Sequence, residues 1–312
     1  MDSRISRRRA AKLIGATAAS AFLPLGAARL FAAAGSSQLI LRAIPSTGES
    51  LPVIGLGSAL TFDVPSRSPQ VPAIAEVLSL FVKHGGKLID SSPAYGNAEG
   101  LIGELAYKSG LTKSLFFATK VWTRSVPEGV AQMEHSLQRF RTRTLDLVQV
   151  HNLANVDREM ASLREWKAKG KIRYTGITHS ERKGHGEVER ILRLQKPDFV
   201  QINYSLMDRA AGQRILPLAR EKGTAVIINR PFAGGGIFQI LAGKKLPDWA
   251  AEFDCYSWGQ FLLKWIVSDP AVTCVIPATN DPKHLVDNMS AGVGRLPDAK
   301  TRARMAALFV GF

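Results

Sequence analysis

Cysteine is scarce in this chain of 312 residues, which contains only Cys255 and Cys274. The two lie nineteen positions apart and form no CxxC pair, so the sequence predicts neither a metal site nor a disulfide framework. A single bridge between them stays open. Acidic residues are also few, at 26 against 41 Lys and Arg, which gives a formal net charge of +15.

The basic excess does not predict a nucleic-acid partner. Six basic residues and one acid lie within the first 34 positions, which leaves 35 basic and 25 acidic residues in the remainder. Those basic residues are interspersed with acids, and no strip of alternating basic and aromatic residues accompanies them. We therefore expect a mildly basic globular protein, whose 46% apolar content is sufficient for a large core.

Long uncharged runs are absent except for one near the amino terminus. Leu13 to Ala28 carries no charge, but sixteen residues fall short of the roughly 20 that span a bilayer. A basic segment precedes this run, and small residues suited to cleavage after Ala34 follow it. These three parts predict an export signal over residues 1–34 and a separate folded domain over residues 35–312.

The head of this signal, Ser6-Arg7-Arg8, resembles the twin-arginine type, which directs folded cargo to a dedicated export machinery. We therefore expect contact with that machinery, a periplasmic or otherwise exported location, and no stable membrane anchor. An ordinary secretory signal and an uncleaved anchor stay open as alternatives.

Beyond Leu39, short apolar runs alternate with longer amphipathic stretches. The apolar runs are rich in Val and Ile with little polar alternation, which is typical of parallel strands buried on both faces. We predict eight strands, at Val53–Leu56, Lys87–Asp90, Leu115–Lys120, Leu145–Val150, Arg173–Ile177, Phe199–Ile202, Ala225–Ile228 and Thr273–Ile276. Helices are predicted between them, such as Val71–His84, Pro127–Phe140, Arg158–Lys169 and Ala210–Lys222.

Eight alternations in about 240 residues indicate an α/β fold, a single (β/α)₈ TIM barrel, rather than an open sheet. Leu39 to Ile44 is expected to pair as an amino-terminal β-hairpin, and a helix is expected at the carboxyl terminus. The segment from Phe232 to Cys255 is predicted to be irregular. It is interpreted either as a lid on the catalytic face or as a mobile insertion.

Ionisable residues follow three consecutive predicted strands. Asp90 ends the second strand with Tyr95 five residues later, Lys120 ends the third, and His151 follows the fourth. The carboxyl ends of barrel strands share one face, so these four side chains are expected to meet there. Each has an ordinary explanation alone, as a turn cap, a packed ring or a core histidine, and only their joint occurrence indicates catalysis.

Together they suggest acid catalysis. A buried lysine needs a counter-charge, which Asp90 supplies, and an ammonium group close to a phenol makes that phenol a better proton donor. Tyr95 is then the expected general acid, and His151 is expected to donate a hydrogen bond to the same substrate oxygen.

These motifs resemble the aldo-keto reductase family, whose members transfer a hydride between a nicotinamide cofactor and a carbonyl group. Three stretches carry the likeness, together with Gly55-Leu56-Gly57: Asp90-Ser-Ser-Pro-Ala-Tyr95-Gly-Asn-Ala-Glu99, Ala118-Thr-Lys120-Val-Trp122 and Leu145-Asp-Leu-Val-Gln-Val-His151. The likeness spans about residues 38–291. It implies a barrel enzyme with Tyr95 as proton donor, Lys120 and Asp90 as its partners, and His151 as the orienting donor.

The same resemblance implies a cofactor path along the strand ends. Gly55 belongs to the glycine pair that opens the first strand, and Gln201 matches a glutamine that holds the nicotinamide carboxamide. Thr178 and His179 stand where the family has a Ser-Asn pair, so that contact departs from the family pattern. Arg230 is expected to pair with the pyrophosphate.

The segment after the eighth strand resembles the family's adenosine-binding stretch. It implies roles for Thr279, Asn280, Lys283, Asp287 and Asn288. Two positions at which NADP-dependent relatives carry Lys or Arg hold other residues here, but Thr279, Asn280 and Lys283 remain available to a 2′-phosphate. We expect NADP(H) rather than NAD(H).

The expected substrate is a small or medium carbonyl compound in an apolar pocket walled by Trp122, Phe232 and Trp258. No metal is expected. Two other functions stay open: a non-catalytic sensor or structural subunit that binds the nicotinamide cofactor on the same barrel, and a hydrolase or isomerase that uses Asp90 and His151.

Overall fold

The structure is a computed structural model that describes residues 38–310. The predicted export signal and its boundary at Ala34 lie outside these residues and stay a prediction. Within the described part, no helix is long and apolar enough to cross a membrane. Cys255 and Cys274 are both buried and free, so the bridge that the sequence left open is not formed.

Eight parallel strands form a ring, which confirms the predicted barrel. Each strand pairs with its neighbours in chain order, and bridges from Ile54 to Val275 and from Gly57 to Ala278 join the last strand to the first. The strands are β3 (Leu56–Gly57), β4 (Leu88–Asp90), β5 (Phe116–Val121), β6 (Leu145–His151), β7 (Ile172–His179), β8 (Phe199–Asn203), β9 (Ala225–Asn229) and β10 (Cys274–Val275).

Helices cover the outside of the ring and bury their apolar sides against it. They are α1 (Val71–Lys83), α2 (Ala98–Lys108), α3 (Val126–Arg139), α4 (Val156–Ala168), α5 (His185–Leu194), α6 (Ala211–Lys222), α7 (Gly236–Leu241), α8 (Trp258–Val267), α9 (Pro282–Ser290) and the carboxyl-terminal α10 (Ala299–Ala307).

An antiparallel hairpin closes the amino-terminal end of the barrel. It consists of β1 (Leu41–Ala43) and β2 (Ser50–Pro52), as the sequence predicts for this position. Ile44 and Leu51 are fully buried and pack with interior strand residues such as Phe199. The hairpin therefore excludes water from that end, and the opposite end, where the strands finish, is left for a site.

The segment after β9 differs from the prediction of an irregular stretch. It contains α7 and two 3₁₀ helices, at Ala233–Gly235 and Asp248–Phe253. Ile237 and Leu241 lie four residues apart and are buried together on one face of α7. The apolar periodicity of this helix extends over only six residues between glycines and lysines, which is too short a stretch to predict a helix from the sequence.

Close packing of α2 against α3 positions the chain that follows β4. A Cβ atom on Gly103 would lie 1.9 Å from the carbonyl oxygen of Arg139, so only glycine allows the two helices to approach this closely. On the same helix, the buried carboxyl of Glu99 accepts hydrogen bonds from Thr119 Oγ1 at 2.5 Å and Ser136 Oγ at 2.8 Å. Helix α2 is thereby bonded to both β5 and α3.

Gly103→Ala is expected to destabilise the fold by roughly 1–3 kcal/mol, because the added methyl group forces α2 away from α3. Gly100→Ala is the matched control on the same helix. Its Cβ meets nothing within 4 Å, so it is expected to stabilise the helix by about 0.5–1 kcal/mol. Urea unfolding of both variants tests the difference, and equal stability would contradict the packing argument.

Candidate active site

A buried ion pair lies at the centre of the strand-end face. Lys120 Nζ donates to Asp90 Oδ2 at 2.6 Å and to the carbonyl oxygen of Ser91 at 2.7 Å. The parallel register pairs Asp90 with Ala118. Because side chains alternate along a strand, Lys120, two residues further, points to the same side as Ala118.

The charge of Lys120 is held by its neighbours. Burial by itself works to lower the pKa of Lys120, but the negative charge of Asp90 and the contribution of Tyr95 outweigh it, so the pKa lies above its ordinary value. The ammonium group is therefore charged over the physiological range. It lies 4.9 Å from the centre of the Tyr95 ring.

Tyr95 and His151 face each other across the same space. Their ring centres lie 6.0 Å apart in an edge-to-face arrangement. Tyr95 is carried by a turn in which its amide donates to the carbonyl of Ser92 at 3.0 Å. The structure thus brings together the four residues that the sequence placed at three consecutive strand ends.

His151 is held as a neutral ring. Burial, and after it the positive charge of Lys120, lowers the pKa of His151 to about 3. Its Nδ1 lies 3.3 Å from Ser92 Oγ, which already accepts the amide proton of Ala94 at 3.1 Å. The Ser92 hydroxyl can donate its proton to Nδ1, and in that tautomer the ring proton of His151 is on Nε2, which makes Nε2 a hydrogen-bond donor.

A cavity of about 550 Å³ opens above these residues, within the usual range for a small-molecule site. Of the residues predicted from the sequence, six line it: Asp90, Tyr95, His151, Thr178, Gln201 and Arg230, together with Phe232 of the substrate wall. The sequence analysis gave no individual role to further lining residues, among them Gly57, Leu60, Thr61, Asn229 and Phe238.

Gly55, for which a cofactor contact is predicted, does not line this cavity, whereas Gly57 of the same motif does. A Cβ atom on Gly55 would lie 2.8 Å from the carbonyl oxygen of Leu88 and 2.9 Å from Cys274 Sγ, so this glycine serves strand packing. Gly57 lines the cavity, and its own Cβ would lie 2.8 Å from the carbonyl oxygen of Ile276. Both glycines occur in one short motif, so spacing did not separate their roles.

The residues expected to hold the carboxamide are already engaged with one another. Gln201 Nε2 donates to Asp90 Oδ1 at 2.7 Å, and Gln201 Oε1 accepts from Thr178 Oγ1 at 3.1 Å. The sequence did not show that Asp90 would bind this amide, because the two residues are 111 positions apart.

His179 does not line the cavity, in contrast to the expected carboxamide contact. Its Nδ1 accepts the amide proton of Glu181 at 3.1 Å, and its ring lies against Gly184, where a Cβ would come within 2.3 Å. Burial lowers the pKa of His179. The histidine that replaces the family's asparagine therefore ends β7 and packs against the loop that follows this strand.

Residues of the predicted adenosine segment lie just before α9 and along it, with Asp287 and Asn288 in its last turn. Asp281 caps this helix and accepts the amide proton of Lys283 at 2.7 Å, while the Lys283 side chain is exposed. Asp287 accepts from Ser257 Oγ at 2.6 Å and from Gln260 Nε2 at 2.7 Å.

The other predicted residues of this segment differ in exposure. Asn280 is exposed, whereas Thr279 and Asn288 are buried. Arg230, exposed at the edge of the cavity, donates to the carbonyl of Ser180 at 3.4 Å.

An apolar rim surrounds the mouth of the cavity. Phe232 packs against Phe238 with ring centres 5.0 Å apart, and Leu60 is 96% exposed. Trp122, half exposed, lies 5.6 Å from the His151 ring without lining the cavity. Trp258 is wrong as a pocket residue, because it packs between Phe261 and Phe309.

Polar atoms without partners indicate what the cavity can bind. Within residues 38–310, two lining side chains carry a buried oxygen that makes no hydrogen bond: Asn229 Oδ1 and Thr61 Oγ1. An unpaired buried polar atom is costly, so a ligand with matching polar groups is favoured there.

Comparison with known proteins decides the family. Residues 53–303 match the sequence profile of the aldo/keto reductase family, which is most of the chain. The chain belongs to this family. The resemblance of its motifs to aldo-keto reductases is thereby confirmed, and these enzymes are oxidoreductases that use nicotinamide cofactors.

Curated relatives are distant. The chain is 28% identical over 210 residues to an NADH-specific methylglyoxal reductase of Escherichia coli, and 24% identical over 226 residues to an aldo-keto reductase of Bacillus subtilis. These alignments cover 58% and 68% of this chain, and 63% and 66% of the two relatives. The chain thus matches somewhat less than two thirds of their length.

Solved structures share the fold. An aldo/keto reductase from Klebsiella pneumoniae in complex with NADP and acetate superimposes with a TM-score of 0.69 at 21% identity, covering 84% of this chain and 93% of that one. The holo form of an aldo-keto reductase from Bacillus halodurans gives 0.70 at 20% identity, covering 87% and 96%.

The buried neutral ring of His151 predicts a pH-dependent stability. In the unfolded chain the ring takes up a proton below about pH 6.5, but in the folded chain only near pH 3. The unfolded state therefore binds more protons between these values, and stability falls on acidification by up to about 1.4 kcal/mol per pH unit.

His151→Gln removes this contribution, so the variant is expected to lose less stability than the natural chain between about pH 7 and pH 5, measured by urea unfolding. The matched control is His135→Gln, which changes an exposed histidine on α3 and is expected to keep the natural pH dependence. Equal losses in all three proteins would show that His151 is not held neutral.

Proposed function

We propose that this protein is an exported NAD(P)H-dependent reductase that converts small aldehydes or ketones to alcohols, with Tyr95 as the general acid. The observation that carries the proposal is that a charged, buried Lys120 lies 4.9 Å from the ring of Tyr95, which itself lines a cavity of about 550 Å³. This is the arrangement that turns a phenol into a proton donor.

Bound nicotinamide supplies the hydride. The residues of the chain do the rest: Tyr95 Oη delivers the proton to the carbonyl oxygen, and Lys120 stabilises the phenolate that remains. His151 donates from Nε2 to the same oxygen and sets its direction. Asp90 keeps Lys120 charged and in place through the 2.6 Å ion pair. The apolar rim excludes water from the reacting carbonyl.

Tyr95→Phe is expected to reduce turnover of 4-nitrobenzaldehyde by at least about a hundredfold, because general acid catalysis contributes 10²–10⁴-fold. Binding of the reduced cofactor, measured by fluorescence, is expected to stay within a few fold of the natural chain. Tyr107→Phe is the matched control, since this tyrosine is 64% exposed on α2, and it is expected to leave turnover unchanged.

Two results would overturn the proposal. Cofactor binding without turnover of any of several carbonyl compounds by the natural chain would favour the sensor or structural role. Retained turnover in Tyr95→Phe would remove the assigned acid.

NADP(H) is the proposed form of the cofactor. Exposed Lys283 and Arg230 offer cations to phosphate groups, and NADP is present in the similar Klebsiella structure. Asp281 caps α9 and places a carboxylate beside Lys283, and the Escherichia coli relative is NADH-specific. We therefore expect the preference for NADPH over NADH to depend on the positive charge of Lys283.

Lys283→Ala is expected to weaken NADPH binding about three- to tenfold and to leave NADH binding unchanged, because only NADPH carries a 2′-phosphate. Fluorescence titration with each dinucleotide measures both constants. Tighter binding of NADH than of NADPH by the natural chain would reverse the proposed preference.

Export by the twin-arginine machinery is proposed from the sequence of residues 1–34. Arg7→Lys together with Arg8→Lys keeps the charge of the head but removes the paired arginines, and is expected to abolish export. Cell fractionation and the amino-terminal sequence of the exported chain measure the outcome. Unchanged export of the double variant would favour an ordinary secretory signal, and an uncleaved chain retained in the membrane fraction would favour an anchor.

A further inference from the structure

A chain of amide side chains extends from Asp90 across the floor of the cavity. Asp90 Oδ1 accepts hydrogen bonds from Gln201 Nε2 at 2.7 Å and from Gln149 Nε2 at 3.1 Å. A carboxylate is an acceptor, so both glutamines must present their NH₂ groups to it. The orientation of Gln201 is therefore determined, and its Oε1 points away from Asp90.

Asn229 is oriented by the same chain. Its Nδ2 donates to Gln201 Oε1 at 3.3 Å and to the carbonyl oxygen of His179 at 3.3 Å. Both of these atoms are acceptors, so the reversed placement of the amide would face oxygen toward oxygen. The Oδ1 atom of Asn229 must then be the atom left over.

This leftover oxygen is buried and lines the cavity. Asn229 is 9% exposed, and across the described part of the chain its Oδ1 finds no hydrogen-bond donor. Leaving a buried acceptor unpaired costs about 1–3 kcal/mol, so a ligand that brings a donor to it is favoured.

We propose that Asn229 is a cofactor-binding residue whose Oδ1 accepts a hydrogen bond from the carboxamide N–H of the nicotinamide. The inference rests on the proposed function. It transfers the carboxamide contact from Thr178, His179 and Gln201 to Asn229, which the sequence motifs include in the segment along the pyrophosphate without an individual role.

The position of Asn229 favours the cofactor over the substrate as the source of the donor. It ends β9, three strands from β6 and His151, which points to the carbonyl that is to be reduced. Asn229 is followed by Arg230, and both belong to the segment over residues 229–234 that resembles the family's stretch along the pyrophosphate. A carbonyl substrate needs no donor of its own, whereas the nicotinamide amide always carries one.

The test compares NADP⁺ with its 3-acetylpyridine analogue, in which a methyl group replaces the amide nitrogen. Quenching of tryptophan fluorescence gives the dissociation constants without turnover. The natural chain is expected to bind NADP⁺ about three- to tenfold more tightly than the analogue, which is the size of one hydrogen bond. In Asn229→Ala this preference is expected to fall to about one.

Asn280→Ala is the matched control. It removes an exposed asparagine of the predicted adenosine segment, so it is expected to weaken both ligands equally and keep the natural preference. Asn229→Val is a second variant. Its branched side chain suits the end of a strand and lacks the acceptor, and the same loss of preference is expected even if the alanine variant does not fold.

The outcomes separate the two proposals. If the natural chain binds no nicotinamide dinucleotide, the proposed function fails and Asn229 loses its assigned ligand. If it binds NADP⁺ and the Asn229 variants keep the full preference over the analogue, only the inference is overturned. If the Asn229 variants keep the cofactor preference but show a raised KM for hydroxylated carbonyl substrates, Asn229 Oδ1 binds the substrate instead. This result would likewise overturn the inference.

Discussion

The ion pair between Asp90 and Lys120 is the constraint on which the site depends. A lysine with 1% exposure is stable as a cation only beside a counter-charge, and a carboxylate with 2% exposure needs donors on every side. Asp90 obtains them from Lys120, Gln149 and Gln201, so one charge orders side chains on β4, β5, β6 and β8. Burial, and after it the positive charge of Lys120, lowers the pKa of His151 and keeps its ring neutral.

The barrel makes this concentration of polar groups possible. Closure of the ring between β3 and β10, and the hairpin at the opposite end, leave the strand ends as the open face. The contact of α2 with α3 at Gly103, and the bonds of Glu99 to Thr119 and Ser136, tie the chain after Tyr95 to the strand that carries Lys120. Stability and catalytic geometry therefore depend on the same contacts.

The two sides of the cavity differ in how far their hydrogen bonds are satisfied within the protein. On the side of β4 to β6, the charged and polar groups hold one another and turn donors toward the cavity. On the side of β9, Asn229 Oδ1 is an acceptor that finds no hydrogen-bond donor within residues 38–310. The two sides of the cavity therefore offer a ligand groups of opposite hydrogen-bonding character.

The sequence by itself predicted the barrel, the family and the four residues that meet at the ends of β4, β5 and β6, because strand periodicity is local and each of these strands carries its residues within a short motif. Only the tertiary structure showed that Gly55 does not line the cavity and that the His179 ring packs against Gly184. The same holds for the hydrogen-bonded amides that connect Asp90 to Asn229. Gln201 and Asp90 are 111 residues apart, so no local sequence pattern predicts which side chain donates to this buried carboxylate. Such contacts are decided by the closure of the ring, which brings distant strand ends within hydrogen-bond distance.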